Sequence, residues 1–136
     1  MINKKYSQFI KESIDYSDII LDVKDILQEL EDEGFNVLVV EHPHILIIMI
    51  DNKIHYSVTE DDNDYVKEGN KFIGSDNIHI IEQCVSYLKS KLKPLGKNIH
   101  IHFGKGKRWY TSSYTRFIHM IKSGDNISSL KFSFIK

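Results

Sequence analysis

Residues Lys97 to Tyr110 read KNIHIHFGKGKRWY and hold the densest set of side chains with chemical potential in the chain. Gly104 and Gly106 alternate with Lys105 and Lys107, and Arg108, Trp109 and Tyr110 follow. Glycines let a backbone come close to a ligand and expose free amides. Lysine and arginine supply charge, while tryptophan and tyrosine supply stacking faces. The combination suits phosphate or single-stranded nucleic acid. The candidate binding set is Lys105, Lys107, Arg108, Trp109, Tyr110 and, a few residues on, Arg116, with Tyr114 near it. The stretch lacks the Gly-Lys-Ser/Thr ending of a phosphate-binding loop and the glycine spacing of a dinucleotide fold. The alternative is a basic hairpin loop with Trp109 folded back onto the core.

Histidines form the second group. His100 and His102 lie two apart in an expected strand and so share a face. His42 and His44 flank Pro43, and His119 falls in a later expected strand. Such pairs bind zinc when a third ligand converges. Apart from Glu41, no Cys, Asp or Glu stands beside either pair at ligand spacing, so His100 and His102 are weak metal candidates and no metal or cofactor is implied. Histidine pairs also cleave phosphodiesters by acid–base catalysis. The families that do so repeat a His-x-Ser/Thr pattern, whereas this chain has His100-Ile101-His102 and His42-Pro43-His44. There is no Gly-x-Ser-x-Gly elbow. Cys84, the single cysteine, falls in a helical pattern as a small core residue. Asp61, Asp62, Asn63 and Asp64 lack the glycine and terminal glutamate of an EF-hand loop and read as a solvated acidic segment. The balance leans away from an enzyme.

The elements that must position these groups follow from periodicity. Asn36 to Thr59 is the most apolar stretch, rich in β-branched residues, and predicts three strands. Glu41 to His44 connects the first two, and Asp51-Asn52 gives a two-residue turn before a third that alternates as Ile54, Tyr56 and Val58. A helix capped by Ser17 or Asp18 and running to about Glu33 buries Ile19, Val23, Ile26, Leu27 and Leu30, and Gly34 ends it. A short amphipathic helix, Asn3 to Ser13, precedes it with Tyr6, Phe9 and Ile10 on one side. Glu60 to Ser75 reads as a polar loop. A third helix starts at Asp76 or Asn77 and runs to about Lys93, with Ile78, Ile81, Val85, Leu88 and Leu92 inward. Pro94 stops it, and strands are expected at Asn98–Phe103, Tyr114–Ile121 and Ile127–Ile135, the last with Leu130, Phe132 and Phe134 on one side. Both halves read as helix, terminating glycine, then strands.

The expected architecture is therefore α+β: one domain, residues 1–136, helices packed on mostly antiparallel sheet in the order ααβββαβββ, with an internal α-βββ repeat as one option. It divides into a helical arm at 1–16, an acidic α-βββ half at 17–75 and a basic α-βββ half at 76–136. From Met1 to Ser75 there are 16 acidic residues and 7 lysines, a balance of −9; from Asp76 to Lys136 there are 11 basic and 3 acidic residues, a balance of +8. Such a split points to an anionic partner for the C-terminal half, to self-association through opposite faces, or to two halves whose charges face water. At 41% apolar and 27% charged, the composition is that of a soluble globular protein. No run approaches the ~18 to 20 apolar residues that span a bilayer. The stretch Met1–Lys11 holds no signal-peptide core, so the expected location is a reducing cytoplasm.

The chain has no alanine, many isoleucines and asparagines, and only Arg108 and Arg116 against 16 lysines, a usage typical of A/T-rich genes. In keeping with it, Met1–Ser13 (MINKKYSQFIKES) and Leu21–Val39 (LDVKDILQELEDEGFNVLV) resemble stretches of small accessory or virion proteins of large tailed bacteriophages. The resemblance implies host cytoplasm or the virion as the location, and a phage or host protein as a partner. It carries no active-site residue. The expectation for function is a non-enzymatic accessory module that holds nucleic acid or a nucleotide on its basic half. The alternative is an assembly protein that forms homo-oligomers through its oppositely charged halves, and a less favoured one is a histidine- or metal-dependent hydrolase.

Overall fold

The computed structural model describes residues 15–58, 63–68 and 71–136. The expected helix at Asn3–Ser13 and the acidic residues Glu60 to Asp62 lie outside the described residues.

Helix α1 spans Ser17–Asp32 and buries Ile19, Val23, Leu27 and Leu30, a stripe at steps of three and four. Its cap is displaced from the expected residues. Asp15 accepts the Ser17 N–H at 2.9 Å, so a carboxylate just ahead of the helix meets the exposed amide end. The helix ends where expected, with the Gly34 N–H on the Glu31 carbonyl and the Phe35 N–H on that of Leu30.

Strands β1 (Asn36–Glu41) and β2 (Ile45–Asp51) form a hairpin through His42 to His44. The chain then departs from expectation. Asn52 is no hairpin turn: its N–H continues the ladder to the Ser128 carbonyl, and its side-chain amide donates to the Lys71 carbonyl at 3.0 Å. The next strand, β3 (Lys53–Val58), leaves this sheet and pairs with β4 (Asn63–Glu68) in a sheet of its own. β4 lies inside the stretch expected to be loop.

Helix α2 (Ile78–Leu92) buries Ile78, Ile81, Val85, Leu88 and Leu92 as the periodicity required, together with Ile80 and Cys84. Asn77 precedes it, with its side-chain oxygen on the Gly74 N–H at 2.9 Å. A single 3₁₀ turn, Lys93–Leu95, carries Pro94 into Gly96. Then come β5 (His100–Lys105), β6 (Arg108–Ser112), helix α3 (Tyr114–Lys122) and β7 (Ser129–Ile135). Tyr114–Ile121, expected as a strand, is thus a helix. Ser113 caps it, accepting the Arg116 N–H, and Phe117 and Ile121 are its buried residues. The second half runs α-ββ-α-β and the first α-ββββ, so the α-βββ repeat does not hold.

The fold is α+β, with helices on an antiparallel five-stranded sheet ordered β1-β2-β7-β5-β6. The last strand enters between β2 and β5, which closes one core from both halves of the chain. The inner face carries Leu46, Ile48, Ile50, Leu130, Phe132 and Phe134, all 0% exposed, opposite Val37, Val39, Ile101 and Phe103 in register. The helices cover this face. Tyr16 packs on Phe134, Phe117 of α3 packs on Phe103 at 5.9 Å, and Tyr87 of α2 donates its hydroxyl to Asp22 of α1. Successive residues of a strand alternate sides, so Leu38, Met49, Lys131, His102 and Thr111 lie in one row across the other face. No helix among the described residues is long and apolar enough to cross a membrane.

Candidate functional site

The Lys-Gly-rich stretch forms the β5–β6 hairpin. Lys105 stands opposite Arg108, leaving Gly106-Lys107 as a two-residue turn. Gly106 has φ +61, a left-handed value that such turns demand and that only glycine accepts without cost. Lys105, Lys107 and Arg108 are all exposed. Lys105 meets Asp125 at 3.6 Å. Lys107 and Arg108 have no carboxylate partner among the described residues.

Trp109 follows on the outer face, directly opposite Gly104. It is not folded into the core but is 50% exposed. The indole lies over bare backbone: its Cε2 is 3.6 Å from the point a Cβ on Gly104 would occupy. That same Cβ would overlap the Ser129 hydroxyl, so Gly104 serves two close approaches at once. Lys131 of β7 reaches to 5.8 Å from the indole centroid, at the edge of cation–π range.

Along β5 from this corner, His102 and His100 continue on the same face. His102 stands between Lys131 on β7 and Thr111 on β6. Its Nδ1 is buried and has no hydrogen-bond partner among the described residues. Burial first, then the charges of Lys131 and His100, lower its pKa from the ordinary 6.5, so the ring is neutral at pH 7. Beyond His100, a recess of about 270 Å³ is lined by Lys97, Asn98, His100, Gly96 and Ile135. The outer face therefore has two strips. Lys131, with His102 and His100 in line on β5, marks a polar one beside Trp109, and Leu38, Ile47 and Met49 mark an apolar one on the β1–β2 side.

The other members of the sequence-derived set fall elsewhere. Tyr110 points to the inner face and stacks on Phe103 at 5.3 Å with 20° between the rings, so it props the hairpin from behind. Arg116 lies in the first turn of α3, on the helical side, and lines a shallow recess of about 540 Å³ with Ser112, Thr115, His119 and Met120. The set thus divides into the hairpin cations with Trp109, a supporting Tyr110 and a separate Arg116. His119, expected on a strand, is on α3. Among the described residues, no three His, Cys, Asp or Glu side chains converge as a metal site. Cys84 is fully buried, and burial pushes its thiol up to about 12. Sequence reasoning missed Lys131, and it opened the candidate stretch at Lys97 without placing that residue in the binding set. The signal for Lys131 was its place between Leu130 and Phe132, which puts it on the opposite face; its strand neighbours were not legible.

Comparison of the chain with protein-family models, with curated proteins and with solved structures finds no significant match.

Proposed function

We propose that the protein is a non-enzymatic binding module that holds a nucleic acid or nucleotide on its basic C-terminal half. The observation that carries this reading is the β5–β6 turn. It sets Lys107, exposed and without a carboxylate partner among the described residues, at the turn beside a half-exposed tryptophan, with Arg108, equally exposed and unpartnered there, at the same turn on Tyr110's side of the hairpin. Cations neutralise phosphate and release counterions, and an exposed indole offers a base a stacking face. The chain's phage-like segments and A/T-rich usage support an accessory or virion role for this module.

The test is binding of labelled DNA and RNA, single-stranded and duplex, across a salt series. Affinity should fall linearly on a log–log plot. The double variant Lys107→Glu/Arg108→Glu should flatten the slope by roughly one unit for each phosphate that is no longer neutralised. An unchanged slope and affinity in this variant would overturn the reading.

A second reading, assembly through oppositely charged halves, is favoured by one observation. Of the three ion pairs among the described residues, only Lys136–Glu41, at 2.7 Å, joins the basic half to the acidic one, which leaves most charges of both halves open to a second copy.

A further inference from the structure

Resting on the nucleic-acid reading, we infer that the ligand is a single strand, with one base stacked on Trp109 and its backbone following β5 toward the recess at Lys97.

The first ground is the posture of the indole. A tryptophan standing upright on a sheet would show only an edge. Here Gly104 has no side chain, and the indole's Cε2 packs over its backbone while 50% of the residue stays exposed. A half-exposed indole is a surface that a nucleobase stacks on, and only an unpaired base can reach it, because in a duplex both faces of each base are already stacked.

The second ground is the direction of the charge. Lys107 lies at the hairpin end of the platform, Lys131 beside it, and Lys97 beyond the far end of β5, past His100. From Gly104 to His100 is four residues of strand, roughly 13 Å at the usual rise. The track is narrow. One side of it is the apolar strip of Leu38, Ile47 and Met49, which offers nothing to the second phosphate backbone of a duplex. A strand one backbone wide fits this strip, with one base turned back onto Trp109 and the next ones free to turn toward the apolar side.

The third ground is His102. Its buried Nδ1 has no partner among the described residues, and it faces the same strip as Lys131 and His100.

Trp109 is the only tryptophan in the chain, so its emission reports this spot alone. The experiment is titration of the full chain with oligothymidylate and, separately, with a duplex of matched length, following both indole emission and anisotropy of the labelled nucleic acid. The inference expects quenching by the single strand, weaker or no quenching by the duplex, and an affinity preference for the single strand. Trp109→Ala should lower single-strand affinity about tenfold, with Trp109→Phe recovering much of it, in line with stacking energies for one base. Equal binding of both forms without quenching would overturn the single-strand assignment while leaving the nucleic-acid reading standing. Absence of binding to either form at low salt would overturn both.

Discussion

At the scale of single residues, the site depends on what Gly104 lacks. A methyl there would meet the Ser129 hydroxyl before it met the indole, whose nearest atom is at ordinary contact distance. Gly104→Ala should therefore cost about 1–3 kcal/mol, the usual range for overpacking a filled site. Gly104→Ala/Ser129→Ala should regain most of that loss, because the second change removes the colliding atom. Chemical denaturation of the two variants and of Ser129→Ala alone closes the cycle. Additive losses would mean that the glycine is required for something other than this approach. The residue types of the site were legible in the sequence: glycine, cation and aromatic in a short run. Their directions were not. Trp109 and Tyr110 are adjacent, so alternation sends one to the outer face and the other onto Phe103, and only the hairpin register decides which. Lys131 entered the site through the pairing of β5 with β7, His102↔Lys131, 29 positions apart, which no local pattern encodes.

At the scale of elements, helix α3 shows how a local signal is outvoted. Tyr114, Phe117, Ile118 and Ile121 recur at steps of three, one and three, one face of a helix, and Ser113 sits where a cap belongs. The same residues are aromatic or β-branched and favour strands, so composition points the wrong way. Burial settles the contest, since the face that holds Phe117 and Ile121 seals the core beside Phe103. Long helices with a single periodic stripe, such as α1 and α2, were readable throughout. β4 was not, because its polar sequence gives no alternation and its pairing with β3 runs through backbone groups that every residue shares. Phe117 is 0% exposed and ties α3 to the strand that carries the binding track. Phe117→Ala should lose about 3–5 kcal/mol of stability, as buried Phe-to-Ala changes do. It should also loosen the hairpin through Phe103 and Tyr110, seen as broader and red-shifted Trp109 emission below the unfolding midpoint. A stability loss with unchanged native emission would confine α3 to the core and detach it from the site.

At the scale of the whole molecule, the acidic helix and the hairpin cations stand at opposite edges of the sheet, while the lysine-bearing α2 packs on α1 between them. The carboxylate-rich α1 packs on β1, at one end of the sheet, and the β5–β6 turn closes the other end. Four strand spacings, roughly 19 Å, separate the two edges. That is about twice the Debye length of ~10 Å at 0.1 M salt, so the ends act independently within one molecule. Between molecules the attraction runs head to tail, a heterologous contact that does not close on itself as a twofold dimer would. Nucleic acid and a second copy would therefore compete for the same cations, Lys107 and Arg108. The expected behaviour is a mass in sedimentation equilibrium that rises with protein concentration at low salt and returns to the monomer value as salt is raised. Lys107→Glu/Arg108→Glu should stay monomeric at low salt, and a short oligothymidylate should dissociate the wild-type assemblies. A mass that stays monomeric in both salts would remove the assembly reading. Assemblies that persist in high salt and resist the oligonucleotide would instead place the contact on the apolar strip of Leu38 and Met49, away from the Trp109 corner.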